Sequence, residues 1–337
     1  MRHLSQYPPI PPGHPWFDVE QQRLIGIRLW SEGKLAEANR CFVAAIQKSP
    51  QCPFVWTTYH RFLHDINGQA GLPKDQIVIV PPLAGMAGFS FYRFFGRCQV
   101  ASAVAAWGWN GFEPPCPLVL AKWIRAVGGT FVDIGANSGY YSFLALAAGA
   151  RRAIAFEPFA PAVDVLRSNI ELNNWTDRIE VKELAVADRS CILPFYLPLQ
   201  SHGLLETSAS QDPTFRAEHS FRFDAQVITL DSLLAELPAS ENLTIKVDVE
   251  GVVPTVAVLQ GAYRLAREKR PTMMVEYLEG PVQGLHQFLK DLGYSSIVFK
   301  PNGTGFVENQ ITPQPDQLNH FFVPTELFQA FVKRIGT

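Results

Sequence analysis

Apolar positions recur at two different periods along the chain, and the change between them divides it. From Asp18 to Pro50 the spacing is helical. Ile25, Leu29 and Trp30 fall at i, i+4 and i+5; after Gly33, Leu35, Ala38, Cys41, Phe42, Ala45 and Ile46 share one face. Pro50 closes the second helix. From Gly129 onward, short apolar runs alternate with helical stretches. The pattern predicts strands at 130–134, 152–156, 179–184, 243–249, 272–277, 296–299 and 320–323, and helices at 140–148, 161–173, 254–267 and 284–292. Apolar strands separated by helices indicate a parallel sheet covered on both faces. The last two strands leave no room for a long helix between them, so the final one is expected to return antiparallel.

Between these regimes the pattern is indistinct. Residues 76–128 contain a strand at 77–80, a Gly- and aromatic-rich stretch and a helix at 117–127, read together as a collar on the substrate side. Five prolines within residues 8–15 mark an extended arm. The predicted organisation is an arm (1–15), a helical region (16–75), the collar (76–128) and an α/β domain (129–337). A polar insertion at 198–226 in that domain is a candidate lid.

The helical front has the small, aromatic and proline positions of a tetratricopeptide repeat in Gly26, Ala38, Phe42, Ala45 and Pro50, and Trp56 suits the start of a second copy. An ordinary helical hairpin fits equally well. A lone repeat cannot bury its own face, so this unit should dock on the rest of the chain or offer a surface to a protein partner or a second copy.

Composition narrows the classes. Of 337 residues, 47% are apolar and 18% charged, which supports a large core. The net charge of −2 gives no global field to attract nucleic acid. The total conceals a division: residues 1–129 hold 12 basic and 7 acidic side chains, and 130–337 hold 17 and 24. Arg93 and Arg97 interrupt the greasiest region, and the charge-free stretches beside it are shorter than the ~20 residues of a membrane span or are broken by Pro81-Pro82. Five cysteines without a regular spacing favour a reducing cytoplasm over a disulfide framework or zinc site.

Three strand ends carry chemistry. The first strand runs into Asp133 and the turn Gly135-Ala-Asn137-Ser-Gly139, where a ligand can approach backbone N–H groups at a helix start and an acid suits a ligand ammonium group. Glu157-Pro158 ends the second strand; an acid there can accept both ribose hydroxyls of a nucleoside, or simply precede the next helix. In Lys246-Val-Asp248-Val-Glu250, alternate residues share a face, which puts Asp248 and Glu250 beside the ligand crevice. Glu276 joins them if its strand is adjacent, and Lys246 would hold these carboxylates ionised. A structural ion-pair network is the alternative. Metal ligation is not expected, because no His/Asp/Asn ligand set is evident. A dehydrogenase is disfavoured because GANSG lacks the GxGxxG spacing.

The ordered segments DIGANSGYYS (133–142), AFEP (155–158), AVAD (185–188), ITLDSLL (228–234), IKVDVEG (245–251), VLQGA (258–262) and RPTMMVE (270–276) resemble the FkbM family of S-adenosylmethionine-dependent methyltransferases, over about residues 110–300. The resemblance implies the class I methyltransferase fold, a Rossmann-like seven-stranded α/β sheet whose last strand is antiparallel. It implies that Asp133, Gly135, Asn137 and Gly139 cradle the methionine part of S-adenosylmethionine, that Glu157 binds the ribose, and that Glu183, Ala185 and Val186 flank the adenine. Asp248 would lie near the sulfonium. The chain departs from the family where an acid often follows the DVEG motif and Val252-Val253-Pro254 stands instead. The implied activity is O-methylation of a sugar, glycolipid or secondary metabolite, with Asp248, Glu250, Glu276 and His202 as candidate bases. The competing class is a cofactor-binding scaffold without activity. N-methylation is a further alternative.

Overall fold

Strands buried on both faces are mostly apolar, and β3 (Thr130–Ile134) and β4 (Arg152–Phe156) occupy the expected residues. In the computed structural model the described residues are 16–50, 52–67, 76–83, 85–94, 96–198, 204, 207–216, 219–277, 285–308, 311 and 318–336. Three helices open the chain: α1 (Phe17–Ser31), α2 (Leu35–Lys48) and α3 (Pro53–Asn67). The collar comprises β1 (Ile77–Val80), β2 (Phe89–Tyr92), α4 (Gln99–Trp107) and α5 (Cys116–Val127). After β3, α6 (Tyr140–Ala148) leads to β4, then α7 (Ala160–Leu172), β5 (Ile179–Lys182), β6 (Ala185–Val186), β7 (Cys191–Pro198) and β8 (His219–Ile228). The remainder is β9 (Leu243–Val247), α8 (Val252–Gln260), α9 (Tyr263–Lys269), β10 (Thr272–Glu276), α10 (Leu285–Asp291), β11 (Tyr294–Phe299), β12 (Gly305–Glu308), β13 (Asn319–Pro324) and α11 (Phe328–Ile335).

The main sheet has the order β12-β11-β13-β10-β9-β3-β4-β5. Strands β5, β4, β3, β9 and β10 are mutually parallel, and β13 is antiparallel to both β10 and β11. This is the expected seven-stranded arrangement with an antiparallel last strand; β12, an antiparallel partner for β11, makes eight. From β3 the chain winds outward through β4 and β5, then returns to β9 on the opposite side of β3. That reversal opens a crevice at the carboxyl ends of β3 and β9, where ligands bind in open α/β sheets.

One face of the sheet packs against α5, α6, α7 and α11 through Trp123, Phe143, Leu166 and Phe331. The other packs against α8, α9 and α10 through Val258, Leu265 and Leu289. A separate sheet, β6-β8-β7, flanks the core. The stretch 198–226, read from sequence as a loop-like insertion, is in part strand: β8 begins at His219 and pairs antiparallel with β7.

The helical front docks on this body. Gly26 lets α1 close on α2, since a Cβ there would stand 2.6 Å from Phe42, and Ala38, Phe42 and Ala45 are buried. Phe54 of α3 meets Phe159 edge-on at 5.8 Å, and Phe159 lies 5.3 Å from Phe223 of β8. Among the described residues no helix is long and apolar enough to cross a membrane.

Candidate functional site

The turn after β3 is shaped by a close approach. Gly135 has φ +77°, and a Cβ there would fall 1.8 Å from the Asp248 carbonyl oxygen, so only glycine lets this turn meet the end of β9. Gly139, at φ +94°, caps α6; a Cβ there would stand 2.5 Å from Leu166. Between them Asn137 adopts φ +49°. Its backbone N–H donates to Glu157 Oε2 at 2.9 Å and its Nδ2 to Thr207 Oγ1 at 2.9 Å. Asn169 of α7 braces the turn: its Nδ2 donates to the Ser138 carbonyl (2.9 Å), while its Oδ1 accepts from the Tyr92 N–H of β2 (2.8 Å).

Gly135, Asn137, Ser138 and Glu157 line a cavity of about 250 Å³ with Pro158, Ala185, Val186, Glu113, Asp248, Glu250, Glu276 and the loop residues 207–211. Asp133 lies inside, its Oδ2 accepting from Ser142 Oγ at 2.6 Å; burial pushes its carboxyl up to about 6. Burial likewise pushes Glu157 up to about 7, although the N–H groups of Asn137 and Phe159 (2.9 Å to Oε1) favour its ionised form. Each oxygen thus holds one backbone donor and keeps acceptor capacity toward a ligand.

A second group of charges gathers where β9, β10 and β13 end. Lys246 is fully buried, and its Nζ lies 3.1 Å from Asp248 Oδ2 and 5.1 Å from the centre of the Tyr141 ring. Burial alone would raise the Asp248 carboxyl, but Lys246 and a hydrogen bond with Glu276 together hold it below the ordinary range. Burial, then the Asp248 charge, drive Glu276 well above its ordinary value, so Glu276 is the proton donor of that pair. Glu113, also raised by burial, accepts from the Tyr141 hydroxyl (2.5 Å) and from Asn319 Nδ2 (2.9 Å). The cluster therefore carries a lysine cation, an Asp248 carboxylate and a Glu276 carboxyl that burial and the Asp248 charge hold toward the neutral form.

Of the residues singled out in the sequence, Asp133, Gly135, Asn137, Glu157, Pro158, Ala185, Val186, Asp248, Glu250 and Glu276 line one cavity. Gly139 stands just behind it as the cap of α6. Glu183 does not line it: β5 ends at Lys182, and Glu183 pairs with Arg167 of α7 instead. His202 lies outside the described residues. Trp107 is 70% exposed, whereas Phe112 lines the cavity. Sequence reasoning missed Glu113 and Asn169. Glu113 carried one signal, being the single acid between Asp75 and Asp133.

An open sheet of this strand order, with acids at the carboxyl ends of β3, β4 and β9 around the crevice, defines the class I methyltransferase fold. Residues 133–296 match the family model described as "Methyltransferase FkbM domain". The chain is a methyltransferase. No curated protein matches it in sequence. Solved structures similar to it include a putative RNA methyltransferase from Pyrococcus horikoshii (15% identity, 63% of this chain and 83% of that one, TM-score 0.33). An O-methyltransferase from Bacillus cereus in complex with SAH is 16% identical over 62% of this chain and 81% of that one, with TM-score 0.35. The magnesium protoporphyrin IX methyltransferase of Synechocystis PCC 6803, with bound SAM, is 11% identical over 66% and 82%, with TM-score 0.36. Likeness at this level carries nothing about substrate.

Proposed function

We propose that this methyltransferase uses S-adenosylmethionine to methylate a hydroxyl oxygen of a sugar, glycolipid or secondary metabolite. The donor set fits that cofactor. Glu157 offers two carboxylate oxygens to paired ribose hydroxyls, Pro158, Ala185 and Val186 provide an apolar slot for a flat base, and Asp133 with the 135–139 turn suits the amino-acid end. When bound, the cofactor supplies a methyl group already activated on a sulfonium, so the chain's own work is alignment and proton removal. Near-attack alignment accounts for ~7–11 kcal/mol of a barrier.

The observation that carries the oxygen reading is Asp248. A hydroxyl is a weak nucleophile until its proton departs, and Asp248 is a carboxylate kept ionised at the cavity by Lys246 and Glu276. A positioned base contributes ~10²–10⁴-fold. The test uses S-adenosylmethionine labelled in its methyl group, hydroxylated acceptors from cell extracts and mass spectrometry of the product. An O-methyl product, and a ~10²–10⁴-fold lower kcat for Asp248→Asn at similar cofactor affinity, are expected. Methyl groups on nitrogen, or full turnover by the variant, contradict the reading; cofactor binding without any transfer favours the scaffold alternative. All five cysteines are free thiols, which supports a cytoplasmic setting. Leu24, Ile25 and Leu35 stay exposed on α1 and α2, which supports these helices as the place where a protein partner or second copy would bind.

A further inference from the structure

Glu113 reaches the cavity from outside the segment that matches the family. Its backbone lies at φ +53°, in the left-handed region, where a non-glycine residue is strained and persists only when its surroundings fix it. They do so here: Tyr141 of α6 and Asn319 of β13 both donate to its carboxyl, tying the loop before α5 to two elements of the catalytic body. Along the strand ends, Glu157, Asp133, Asp248, Glu276 and Asn319 follow the sheet order β4, β3, β9, β10, β13. Glu113, bonded to Asn319, therefore belongs to the half of the cavity remote from Glu157. If Glu157 holds the nucleoside, as proposed above, that remote half receives the acceptor.

Among the described residues, the side chains that line the cavity include acids but no bases: six acids and no lysine, arginine or histidine. Lys246, beside Asp248, is fully buried and paired with it. Segments 199–206 and 278–284 contain no lysine or arginine. Carboxylate and phosphate groups are recognised by arginine forks and lysines, and like charges brought together cost several kcal/mol.

We infer that Glu113 is the acceptor-selecting residue: with Asp248 it admits acceptors that are neutral or ammonium-bearing around the reacting hydroxyl and rejects those carrying carboxylate or phosphate there. This rests on the transferase reading above. Its role is distinct from that of Asp248, because it sorts acceptors and takes no proton.

The test transfers labelled methyl groups from S-adenosylmethionine into a total cell extract, then separates products into those retained and not retained by an anion exchanger at neutral pH. The wild type should place most label in unretained products. Glu113→Asp, which keeps the charge, should preserve that distribution. Glu113→Gln should raise the retained-to-unretained ratio about tenfold, and cofactor affinity within a few-fold of wild type, measured by calorimetry, shows that the variant is folded. Label found chiefly in retained products of the wild type, or a ratio that Glu113→Gln leaves unchanged, overturns the inference. Cofactor binding with no label in either pool removes the transferase reading itself, and the inference with it.

Discussion

Replacing Lys246 with methionine tests how the charge cluster is held. Lys246 is wholly buried, 3.1 Å from Asp248 and among the charges acting on Glu113 and Glu276. The substitution fills the space but leaves Asp248 without its counter-charge, and breaking a buried pair from one side costs about 3–5 kcal/mol. At about 2 °C per kcal/mol for a large domain, melting should fall by roughly 6–10 °C at pH 8. The sign with pH is fixed. In the wild type Asp248 is depressed, so its contribution is present above its ordinary 3.8 and is lost only as pH falls through its lower folded value. Without Lys246, burial dominates and raises the folded value. Stability is then retained at low pH, where the carboxyl is neutral, and lost as pH rises. Differential scanning fluorimetry at pH 5 and pH 8 should thus show the larger deficit at pH 8. An equal deficit at both, or none, would refute the reasoning, because Lys246 would then be acting only through its packing.

Two other outcomes follow from the same geometry. Gly135→Ala should abolish cofactor binding or destabilise the fold by more than ~1 kcal/mol, because the new Cβ meets a backbone carbonyl at 1.8 Å and φ is +77°; a calorimetric titration with unchanged affinity and an unchanged melt would contradict this. In ligand-free protein, Asp133 and Glu157 are raised to about 6 and about 7, so the stability they contribute is complete below about pH 4 and is lost as pH climbs through 6 to 7. Urea titrations at pH 5, 6.5 and 8 should show it falling; a steady rise across that range would count against the buried-acid description.

Much of the sheet was legible because its strands are buried on both faces. Short, mostly apolar runs such as 130–134 and 152–156 have sharp edges, and Gly139 and Gly149 punctuate α6. The expected helix at 254–267 is instead two, α8 and α9, parted at Gly261, where a Cβ would strike the Ala187 carbonyl at 1.9 Å. That constraint is tertiary and leaves no local mark. Strand β7 was hidden by Pro194 and Pro198, which argue against a strand, and α4 by a run of Val and Ala without polar alternation. In the site, residues on strand ends could be placed because strand geometry dictates their faces. Glu113 and Asn169 could not, since a loop and a distant helix bring them in. Glu183 falls beyond β5, which stops two residues short of the predicted end, and its side chain meets Arg167.

The cavity between β3 and β9 is proposed to hold S-adenosylmethionine through Glu157. Isothermal titration of the intact chain with the cofactor tests this proposal most directly, beside Glu157→Ala. The unmutated chain should bind 1:1, with at least a tenfold loss in the variant, in line with ~1.5–3 kcal/mol for hydrogen bonds to a charged group. An intact chain that takes up no cofactor, or a variant that binds as tightly as the parent, would contradict the proposal.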